Sequence, residues 1–257
     1  MIVLGEELGR FRDASKALYN FLESFTWSGK VERLGFDEVF MDVSDIVDYN
    51  QALLNPHDLT RSFFQLKKDD PTVGFEFDAS WIASHGYPPD TQPPPVTPTH
   101  QDTLTTRLIL GSHFTQYLRT SLEEEKGYTA TVGISTNKLV SKLVGNLNKP
   151  RGQTTLLPPY VADSGYGCKN VESELESNVT RFIDSHEIGK IPGIGFKMAQ
   201  RSRYILQCNP FNISASSPIY PCKLRVGAFL LFVLLRLNEA MLTHHLRSSE
   251  LCAVTSC

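Results

Sequence analysis

Residues 31–47, VERLGFDEVFMDVSDIV, decide the fold of this chain. Apolar side chains alternate up to Phe36, lose their phase, and then alternate again from Val39. A period of two indicates β-strand, and a shift of phase indicates two short strands joined by a turn. The turn falls at Asp37 and Glu38. We therefore predict a β-hairpin that carries two adjacent carboxylates at its tip.

The two carboxylates at this tip have two interpretations. In a straight strand neighbouring side chains point to opposite faces, whereas at a tight turn both can converge on one point, as a divalent cation requires. An acidic pair at a hairpin tip is more often a solvated turn that binds nothing. The spacing of Asp37 and Glu38 alone therefore leaves both a metal site and a plain turn open.

Charge is distributed unevenly along the 257 residues, although the net charge is only −3. Residues 1–129 carry 11 basic and 20 acidic side chains, whereas residues 130–207 carry 10 basic and 6 acidic ones. This asymmetry favours an acidic half that holds a metal and a basic half that faces phosphate. Uneven surface charge without a ligand is the alternative. The hydrophobic content of 41% and the charged content of 21% are ordinary for a globular protein.

Cysteine usage and hydropathy argue against two protein classes. The five cysteines form an odd set without Cys-x-x-Cys spacing, which argues against a zinc ribbon or a disulfide framework and favours a reducing compartment. The apolar run Val226–Leu235 is bracketed by arginines and is too short to span a bilayer. No signal peptide is recognisable. We therefore expect no membrane partner.

Two long helices are predicted on either side of a proline-rich segment. Apolar residues recur at helical spacing over Arg10–Phe25 and again over Leu104–Lys126. Between them, Lys67–Thr103 contains a Pro-Pro-Pro run and further prolines, a density that excludes a packed helix or a central strand. We expect a mostly irregular surface insertion there.

Residues 130–150 predict a strand, a helix and a row of lysines. The strand alternates from Ala130 to Ile134, and Ser135 or Thr136 can cap the helix that follows. One apolar stripe of this helix should be buried, and three lysines fall within roughly 40° of each other on the opposite face. These lysines are either solvated or directed at phosphate. The stripe consists of Leu139, Val140, Leu143, Val144 and Leu147, and the lysines are Lys138, Lys142 and Lys149.

Residues 188–199, IGKIPGIGFKMA, predict a loop that leads into a helix. Gly193 and Gly195 would allow backbone N–H groups to approach a phosphate closely, and Lys197 adds a positive charge nearby. A Gly-x-Gly before a helix is a weak signal when it stands alone.

Residues 34–43, LGFDEVFMDV, resemble the second catalytic motif of the Y-family (translesion) DNA polymerases. They are most similar to the iota branch, where Gly-Phe precedes the Asp-Glu pair. Ser-Thr-Asn-Lys at 135–138, Lys149-Pro150 and the loop at 188–199 resemble later motifs of the family in the same order. A palm of the nucleotidyl-cyclase type has a similar turn but does not share the downstream motifs. The resemblance covers about residues 6–207.

The resemblance implies an α+β fold. A polymerase palm, an antiparallel sheet backed by the two long helices on one face, would be followed by a small helical thumb with a helix-hairpin-helix. We expect residues 1–66 and 104–160 to form the two parts of the palm, separated by the insertion 67–103. The thumb would occupy residues 161–207. Residues 208–257 resemble no part of the family, and we assign them no domain.

The resemblance also implies an activity, template-directed nucleotidyl transfer in translesion DNA synthesis and DNA repair. Asp37 and Glu38 would be catalytic carboxylates that bind Mg²⁺ in a two-metal site. Lys149 would neutralise the incoming triphosphate, because phosphoryl transfer depends on cations placed where negative charge develops.

The partners that the resemblance implies are primer–template DNA and a deoxynucleoside triphosphate. Gly193, Gly195 and Lys197 would grip the DNA backbone without reading sequence. The resemblance also implies a nuclear location. A replication clamp and other polymerases are partners that the sequence does not reveal.

The Mg²⁺ ligand set is expected to be incomplete. The first motif of the family, an Asp-x-Asp-x-Phe strand that supplies another metal carboxylate, normally lies upstream of the region that matches here. Asp42, Asp45 and Asp48 follow the hairpin but lack that strand context. We therefore expect a truncated chain with weak or no polymerase activity. The alternative is a non-catalytic fragment that binds damaged DNA or regulates another protein.

Overall fold

The computed structural model of the protein describes residues 9–54, 61–78, 86–87, 100–158, 178–201 and 232–237. Helices and strands alternate along the chain, and the strands assemble into one large sheet and one separate hairpin. The helices are α1 (Gly9–Glu23), α2 (Ser44–Leu53), α3 (His100–Lys126), α4 (Lys138–Val144) and α5 (Asn178–Asp184). The strands are β1 (Val31–Leu34), β2 (Glu38–Asp42), β3 (Arg61–Gln65), β4 (Gly74–Asp78), β5 (Gly86–Tyr87), β6 (Ala130–Ser135), β7 (Gln153–Leu156) and β8 (Phe232–Leu237).

The large sheet has the strand order β1-β2-β8-β6-β7-β5. β2 is antiparallel to both β1 and β8, and β8 is antiparallel to β6. The expectation of an antiparallel sheet is wrong for the other half, because β7 is parallel to both β6 and β5. The reason is the connection through α4, since a strand that returns through a helix re-enters the sheet in the same direction. The fold is therefore a mixed α/β arrangement.

β8 lies in the centre of this sheet, between the hairpin strand β2 and the strand β6. Its register places Leu234 opposite both Phe40 and Gly133. The tail 208–257, to which the sequence assigned no domain, therefore contributes a strand to this sheet. The residues of β8 form a continuous apolar run up to Leu235, and the sequence interpretation looked for alternation, which this run does not show.

The helices cover both faces of the sheet. Glu32 and Arg33 are neighbours in β1 and point to opposite faces, as strand geometry requires. Glu32 pairs with Lys138 of α4, whereas Arg33 donates a hydrogen bond from its Nη2 to Ser15 Oγ of α1 at 2.8 Å. α1 and α4 therefore lie on opposite faces.

The two long helices predicted from the sequence pack on the same face. The chain after α1 reaches α3 through an edge-to-face contact between Phe25 and Tyr117, whose ring centres are 6.2 Å apart. The expected apolar residues of α3 are buried, and α3 begins four residues before the predicted Leu104. The buried residues of that stripe are Leu104, Leu108, Leu118 and Leu122.

Part of the proline-rich segment 67–103 is regular structure, so the expectation of a mostly irregular insertion is wrong for its described residues. β4 pairs with β3, and β5 joins the edge of the large sheet next to β7. A row of stacked rings attaches the β3–β4 hairpin to α3. Phe64 stacks on Phe114 with ring centres 5.4 Å apart, and Phe75 stacks on Tyr117 at 4.8 Å. The packing of aromatic rings therefore orders part of a segment for which proline content alone predicts irregular structure.

No helix within the described ranges combines the length and the apolar character that crossing a bilayer requires.

Candidate active site

The acidic pair lies where the β1–β2 hairpin turns. Leu34 is opposite Glu38 in the register, so the turn consists of Gly35, Phe36 and Asp37. Gly35 has a φ of 76°, a conformation that costs a residue with a side chain free energy. Asp37 therefore ends the turn and Glu38 begins β2, so the turn is centred on Phe36 and lies earlier in the chain than a turn centred on the pair. The hairpin itself is confirmed.

Glu38 forms an ion pair with Lys142 of α4. The Nζ atom of Lys142 lies 2.8 Å from the Oε2 atom of Glu38, and the two side chains are 26% and 7% exposed. A carboxylate this deeply buried needs a counter-charge, because removal of a charge from water is costly. Lys142 therefore neutralises one of the two predicted catalytic carboxylates.

A second ion pair runs beside the first. Lys138 pairs with Glu32, and the Lys138 ammonium lies 5.8 Å from the centre of the Phe40 ring. Glu32 is opposite Phe40 across β1 and β2, and Phe40 is two residues from Glu38, so all three lie on the face that α4 covers. Lysines four residues apart on one helix thus meet two carboxylates on one hairpin. Lys142 is therefore paired with a buried carboxylate, whereas Lys138 is paired but remains exposed to water.

The start of α4 differs from the sequence expectation. Asn137, rather than Ser135 or Thr136, caps the helix, and its side chain accepts a hydrogen bond from Val140 N at 2.8 Å. Ser135 belongs to β6 and is buried. Asparagine caps helices as well as serine does, so the cap was open to prediction.

The predicted buried stripe of α4 is only partly correct. Three of its members are buried, but Leu139 and Leu147 are more than a third exposed, and Ser141 is buried instead. The stripe was extended too far because α4 ends at Val144, six residues before Pro150. The buried members are Val140, Leu143 and Val144.

Lys149 lies in an exposed turn after α4, not on the helix face that the sequence pattern predicted. The next residue, Pro150, accepts a hydrogen bond from Thr131 Oγ1 at 2.5 Å. Thr131 and Glu38 are both opposite position 236 of β8, on its two sides. Two strand spacings separate their Cα atoms, about 10 Å. The turn that holds Lys149 is therefore attached at the same level of the sheet as the acidic pair.

The predicted DNA-binding residues follow α5, a helix at the other edge of the sheet. Gly193 has a φ of 89°, and Ala199 N donates a hydrogen bond to Gly195 O at 3.0 Å, which begins a helical segment at residues 196–201. Lys197 in this segment is exposed. Phe182 of α5 contacts Tyr87 of β5 with ring centres 5.1 Å apart. α5, which precedes these residues in the chain, therefore packs beside β5, whereas Asp37 and Glu38 lie by β1. The helix-hairpin-helix remains a prediction.

The carboxylate oxygens at the hairpin are the right kind of ligand for a divalent cation, but they are too few to hold one. Carboxylate oxygens are the ligands that Mg²⁺ prefers. In the part of the chain that the structure describes, no three Asp, Glu, His or Cys side chains form a group that could hold a metal. Among the strands beside β2, β1 offers Glu32, which pairs with Lys138, and β8 reads FVLLRL without an acidic residue. A metal would need further ligands from the substrate or from residues outside the described ranges.

Asp42 lies at the far end of the strand that begins with Glu38, so it belongs to the hairpin and does not follow it. Four residues of strand separate it from Glu38, about 13 Å. Its Oδ1 accepts a hydrogen bond from Ser44 N at 3.0 Å, and its Oδ2 lies 3.6 Å from Lys30 Nζ. Asp42 therefore fixes the chain entering α2 and does not supplement the acidic pair.

Sequence reasoning missed Glu32 and gave Lys142 no role. The sequence does show two lysines, Lys138 and Lys142, that lie four residues apart on one helix. It also shows two glutamates, Glu32 and Glu38, on either side of the hairpin turn. Their pairing depends on how α4 crosses the sheet, which spacing does not give.

Comparison with known proteins identifies the family. Residues 1–146, more than half of the chain, match the impB/mucB/samB family. Human DNA polymerase iota is 32% identical over 200 residues, which cover 78% of this chain and 21% of the human protein. Mouse DNA polymerase iota is 28% identical over 230 residues, 88% of this chain and 26% of the mouse protein. DNA polymerase eta of Drosophila melanogaster is 26% identical over 208 residues, 76% of this chain and 21% of the fly protein.

The chain spans about a fifth to a quarter of the length of these relatives. The family match contains the β1–β2 hairpin and α4, and it ends just before Lys149. The chain belongs to the impB/mucB/samB family, the Y-family of DNA polymerases, and it has relatives in the iota branch.

Proposed function

We propose that this chain is the palm region of a polymerase that carries out template-directed nucleotidyl transfer in translesion DNA synthesis. The observation that carries the proposal is the Asp37-Glu38 pair at the hairpin turn, within the residues that match the family. The relatives are DNA polymerases by name. On this proposal the protein acts in DNA repair in the nucleus, and its substrates are primer–template DNA and a deoxynucleoside triphosphate.

Asp37 and Glu38 would hold a divalent metal, Mg²⁺, together with ligands that the described residues do not provide. When bound, the metal supplies positive charge that stabilises the reacting phosphoryl oxygens. The role of this chain is to hold the two carboxylates side by side on a rigid turn. α4 supports that turn from one face of the sheet, which keeps the carboxylates in position.

Lys149 would pair with the triphosphate of the incoming nucleotide. Its turn is attached to Thr131, whose Cα lies at the level of Glu38 and about 10 Å from the Cα of Glu38 across two strands. Gly193, Gly195 and Lys197 would contact the DNA backbone.

The first experiment measures template-directed nucleotide selection without requiring turnover. The full chain is titrated onto fluorescent primer–template DNA with a dideoxy-terminated primer, in the presence of each nucleotide and Mg²⁺. We expect the complementary nucleotide to tighten binding several-fold and the three others to have no effect. Lys149→Gln should remove this gain, whereas Lys16→Gln on the exposed face of α1 should keep it.

Primer extension tests the carboxylates directly. We expect extension by this chain to be weak, because the described residues supply two acidic ligands of a larger set. Any incorporation should require a divalent cation and should fall at least about 100-fold in Asp37→Asn and in Glu38→Gln. Asp45→Asn, which changes an exposed carboxylate at the start of α2, should retain it. Incorporation that survives both site variants would contradict the proposal.

A non-catalytic DNA-binding fragment is the second candidate function. It is favoured by the Glu38–Lys142 pair, since one carboxylate of the acidic pair already has a counter-ion. This candidate predicts binding to primer–template DNA that weakens steeply with salt and does not respond to nucleotides. Lys197→Gln should lower the salt slope by about one if the lysine contacts a phosphate.

A further inference from the structure

We propose that Arg119 of α3 is a positioning residue for Lys149, and that it acts by fixing the turn between α4 and β7. This segment, the Lys149 turn, comprises residues 145–152. A fixed turn would present the Lys149 ammonium to the phosphate groups of a polyphosphate ligand from one defined place. This inference rests on the proposed pairing of Lys149 with a triphosphate. Arg119 itself would not touch the ligand, because its guanidinium binds backbone carbonyls of the protein.

Arg119 connects the start of β6 to the end of the Lys149 turn. Its Nε donates a hydrogen bond to Ala130 O at 3.1 Å, and its Nη2 donates to Arg151 O. A guanidinium is a planar fork with fixed donor directions, so the two carbonyls are held at a fixed spacing. Burial lowers the pKa of the Arg119 guanidinium, and the nearby Glu123 carboxylate opposes that shift. An arginine stays charged at neutral pH in either case, so both hydrogen bonds are charge-assisted.

The fork lies where the pairing of β6 with β7 stops. The register between these strands begins with Val132 and Gln153, and Val132 N donates to Gly152 O at 3.0 Å. Ala130 is two residues earlier in β6, so its carbonyl lies along the same edge of the strand. Arg119 therefore supplies a hydrogen bond to this edge at the point where the chain turns away from it.

Two further side chains hold the Lys149 turn on either side of Lys149. Asn148 Nδ2 donates a hydrogen bond to Thr154 Oγ1 at 2.7 Å. Thr131 Oγ1 donates to Pro150 O at 2.5 Å. The residues before and after Lys149 are therefore attached to the sheet, whereas the Lys149 side chain is exposed.

A fixed turn should strengthen binding of an anion. A ligand that meets a mobile loop has to order it, which lowers the affinity, whereas a loop that is already fixed binds without that loss. The Lys149 turn carries two exposed cationic side chains, Lys149 and Arg151. The contacts from α3 and β6 converge on two consecutive carbonyls, those of Pro150 and Arg151. Both carbonyls directly follow the lysine, so loss of either contact should loosen the position of its Cα atom.

The experiment measures binding of inorganic tripolyphosphate to the full chain by phosphorus NMR titration, without a metal. We expect Lys149→Gln and Arg119→Lys each to weaken binding about fivefold, because an ammonium keeps the charge at 119 but cannot bind both carbonyls in a fixed fork. The double variant should bind no more weakly than Lys149→Gln alone, since Arg119 acts through Lys149. Amide relaxation should show greater motion of Lys149 and Arg151 in Arg119→Lys.

Arg107→Lys is the matched control. Arg107 lies on the same helix, about 18 Å earlier along its axis. It binds both carboxylate oxygens of Asp48, through Nε at 2.6 Å and Nη2 at 3.2 Å. The same substitution there removes a fork contact far from the Lys149 turn. It should lower the midpoint of thermal unfolding and leave the tripolyphosphate affinity within about twofold of the unchanged chain.

The proposal is overturned if Arg119→Lys binds tripolyphosphate as tightly as the unchanged chain, including the case in which neither binds it. It is also overturned if Arg107→Lys weakens binding equally, or if the effects of Arg119→Lys and Lys149→Gln multiply in the double variant. Should Arg119→Lys fail to fold, Thr131→Val removes the neighbouring contact to Pro150 O and should weaken binding about twofold. Unchanged binding in that variant would then overturn the proposal.

Failure of this inference is distinguishable from failure of the proposed polymerase function. Tripolyphosphate binding that depends on Lys149 and Arg119, without selection among nucleotides on primer–template DNA, would contradict the polymerase function and leave the role of Arg119 standing. Nucleotide selection that depends on Lys149 but not on Arg119 would contradict the role of Arg119 alone.

Discussion

Gly133 of β6 and Gly145, just after α4, are in direct backbone contact. A Cβ placed on Gly145 would lie 3.1 Å from Gly133 N, and one placed on Gly133 would lie 2.4 Å from Gly145 N. The absence of both side chains lets α4 lie directly on the sheet. This close approach brings Lys138 and Lys142 over the hairpin, where they reach Glu32 and Glu38.

Gly133→Ala should therefore destabilise the protein and disturb the site together. The added methyl group meets backbone atoms that cannot rotate away, so we expect a loss of at least about 2 kcal/mol in the free energy of unfolding. Urea denaturation monitored by circular dichroism measures this loss. Gly9→Ala is the control, because its Cβ meets nothing within 4 Å. An unchanged midpoint for Gly133→Ala would mean that α4 does not pack as described.

Asn50→Leu should be costly, because the Asn50 side chain connects α2 to β3. Its Oδ1 accepts a hydrogen bond from Gln65 N at 2.7 Å, and its Nδ2 donates to Gln65 O at 2.9 Å and to Ile46 O at 2.8 Å. The leucine variant leaves two buried backbone groups of Gln65 without that partner, which should cost about 2–4 kcal/mol.

The neighbouring Gln51→Leu is the control for this prediction. Gln51 Nε2 donates one hydrogen bond, to Thr103 O at 3.2 Å, in an exposed position. We expect its effect on the urea midpoint to correspond to less than about 0.5 kcal/mol. Equal effects of the two variants would contradict the bridging role of Asn50.

The hairpin, the two long helices and the strand–helix–strand unit were predictable because each depends on local periodicity. The phase change after Phe36 locates the turn, and the apolar spacing in α3 locates its buried face. The acidic pair could be found for the same reason, since its two members are adjacent in the chain.

The rest could not be predicted because it depends on distant pairing. Residue 234 of β8 pairs with Phe40 and with Gly133. This pairing was not predicted because it is made by backbone hydrogen bonds, which depend little on the identity of the side chains. The Lys142–Glu38 pair spans 104 residues and depends on the angle at which α4 crosses the strands. The stacking of aromatic rings that attaches the β3–β4 hairpin to α3 was not predicted, because the interpretation of residues 67–103 relied on their proline content.

Stability at alkaline pH should depend on Tyr128. Burial raises the pKa of the Tyr128 phenol above its ordinary value of 10.0. The unfolded chain therefore releases this proton at lower pH than the folded protein does. The stabilisation is fully present below about pH 10 and is lost as the pH rises through the raised pKa. Urea midpoints measured between about pH 9 and pH 11 should fall less steeply for Tyr128→Phe.

A residual slope in that variant is expected from Tyr19, whose pKa is also raised, first by burial and then by the nearby Glu23 carboxylate. The double variant Tyr19→Phe, Tyr128→Phe should flatten the profile further. Identical slopes for the unchanged chain and both variants would show that neither phenol is linked to folding.

Loss of β8 should open the sheet at its centre. β8 supplies the hydrogen-bonding partner for one side of β2 and one side of β6, and unpaired groups in the middle of a sheet are costly and promote aggregation. A chain that ends at Leu230 lacks β8, whereas a chain that ends at Ala240 keeps it. We expect the shorter chain to lose cooperative unfolding and to aggregate, and the longer chain to unfold as the complete chain does.

Amide hydrogen exchange tests the same strand at single residues. In the longer chain, the amides of β2 and β6 that face β8 should exchange slowly. The substitution Leu234→Pro in the complete chain should make these amides exchange fast, because proline removes a hydrogen-bond donor from the central strand. Amides of β3 and β4 should keep their protection, since that hairpin pairs only within itself among the described strands. Equal protection of the Met41 and Gly133 amides in both truncated chains would contradict the central position of β8, and the sheet would then have to hold together through its helices alone.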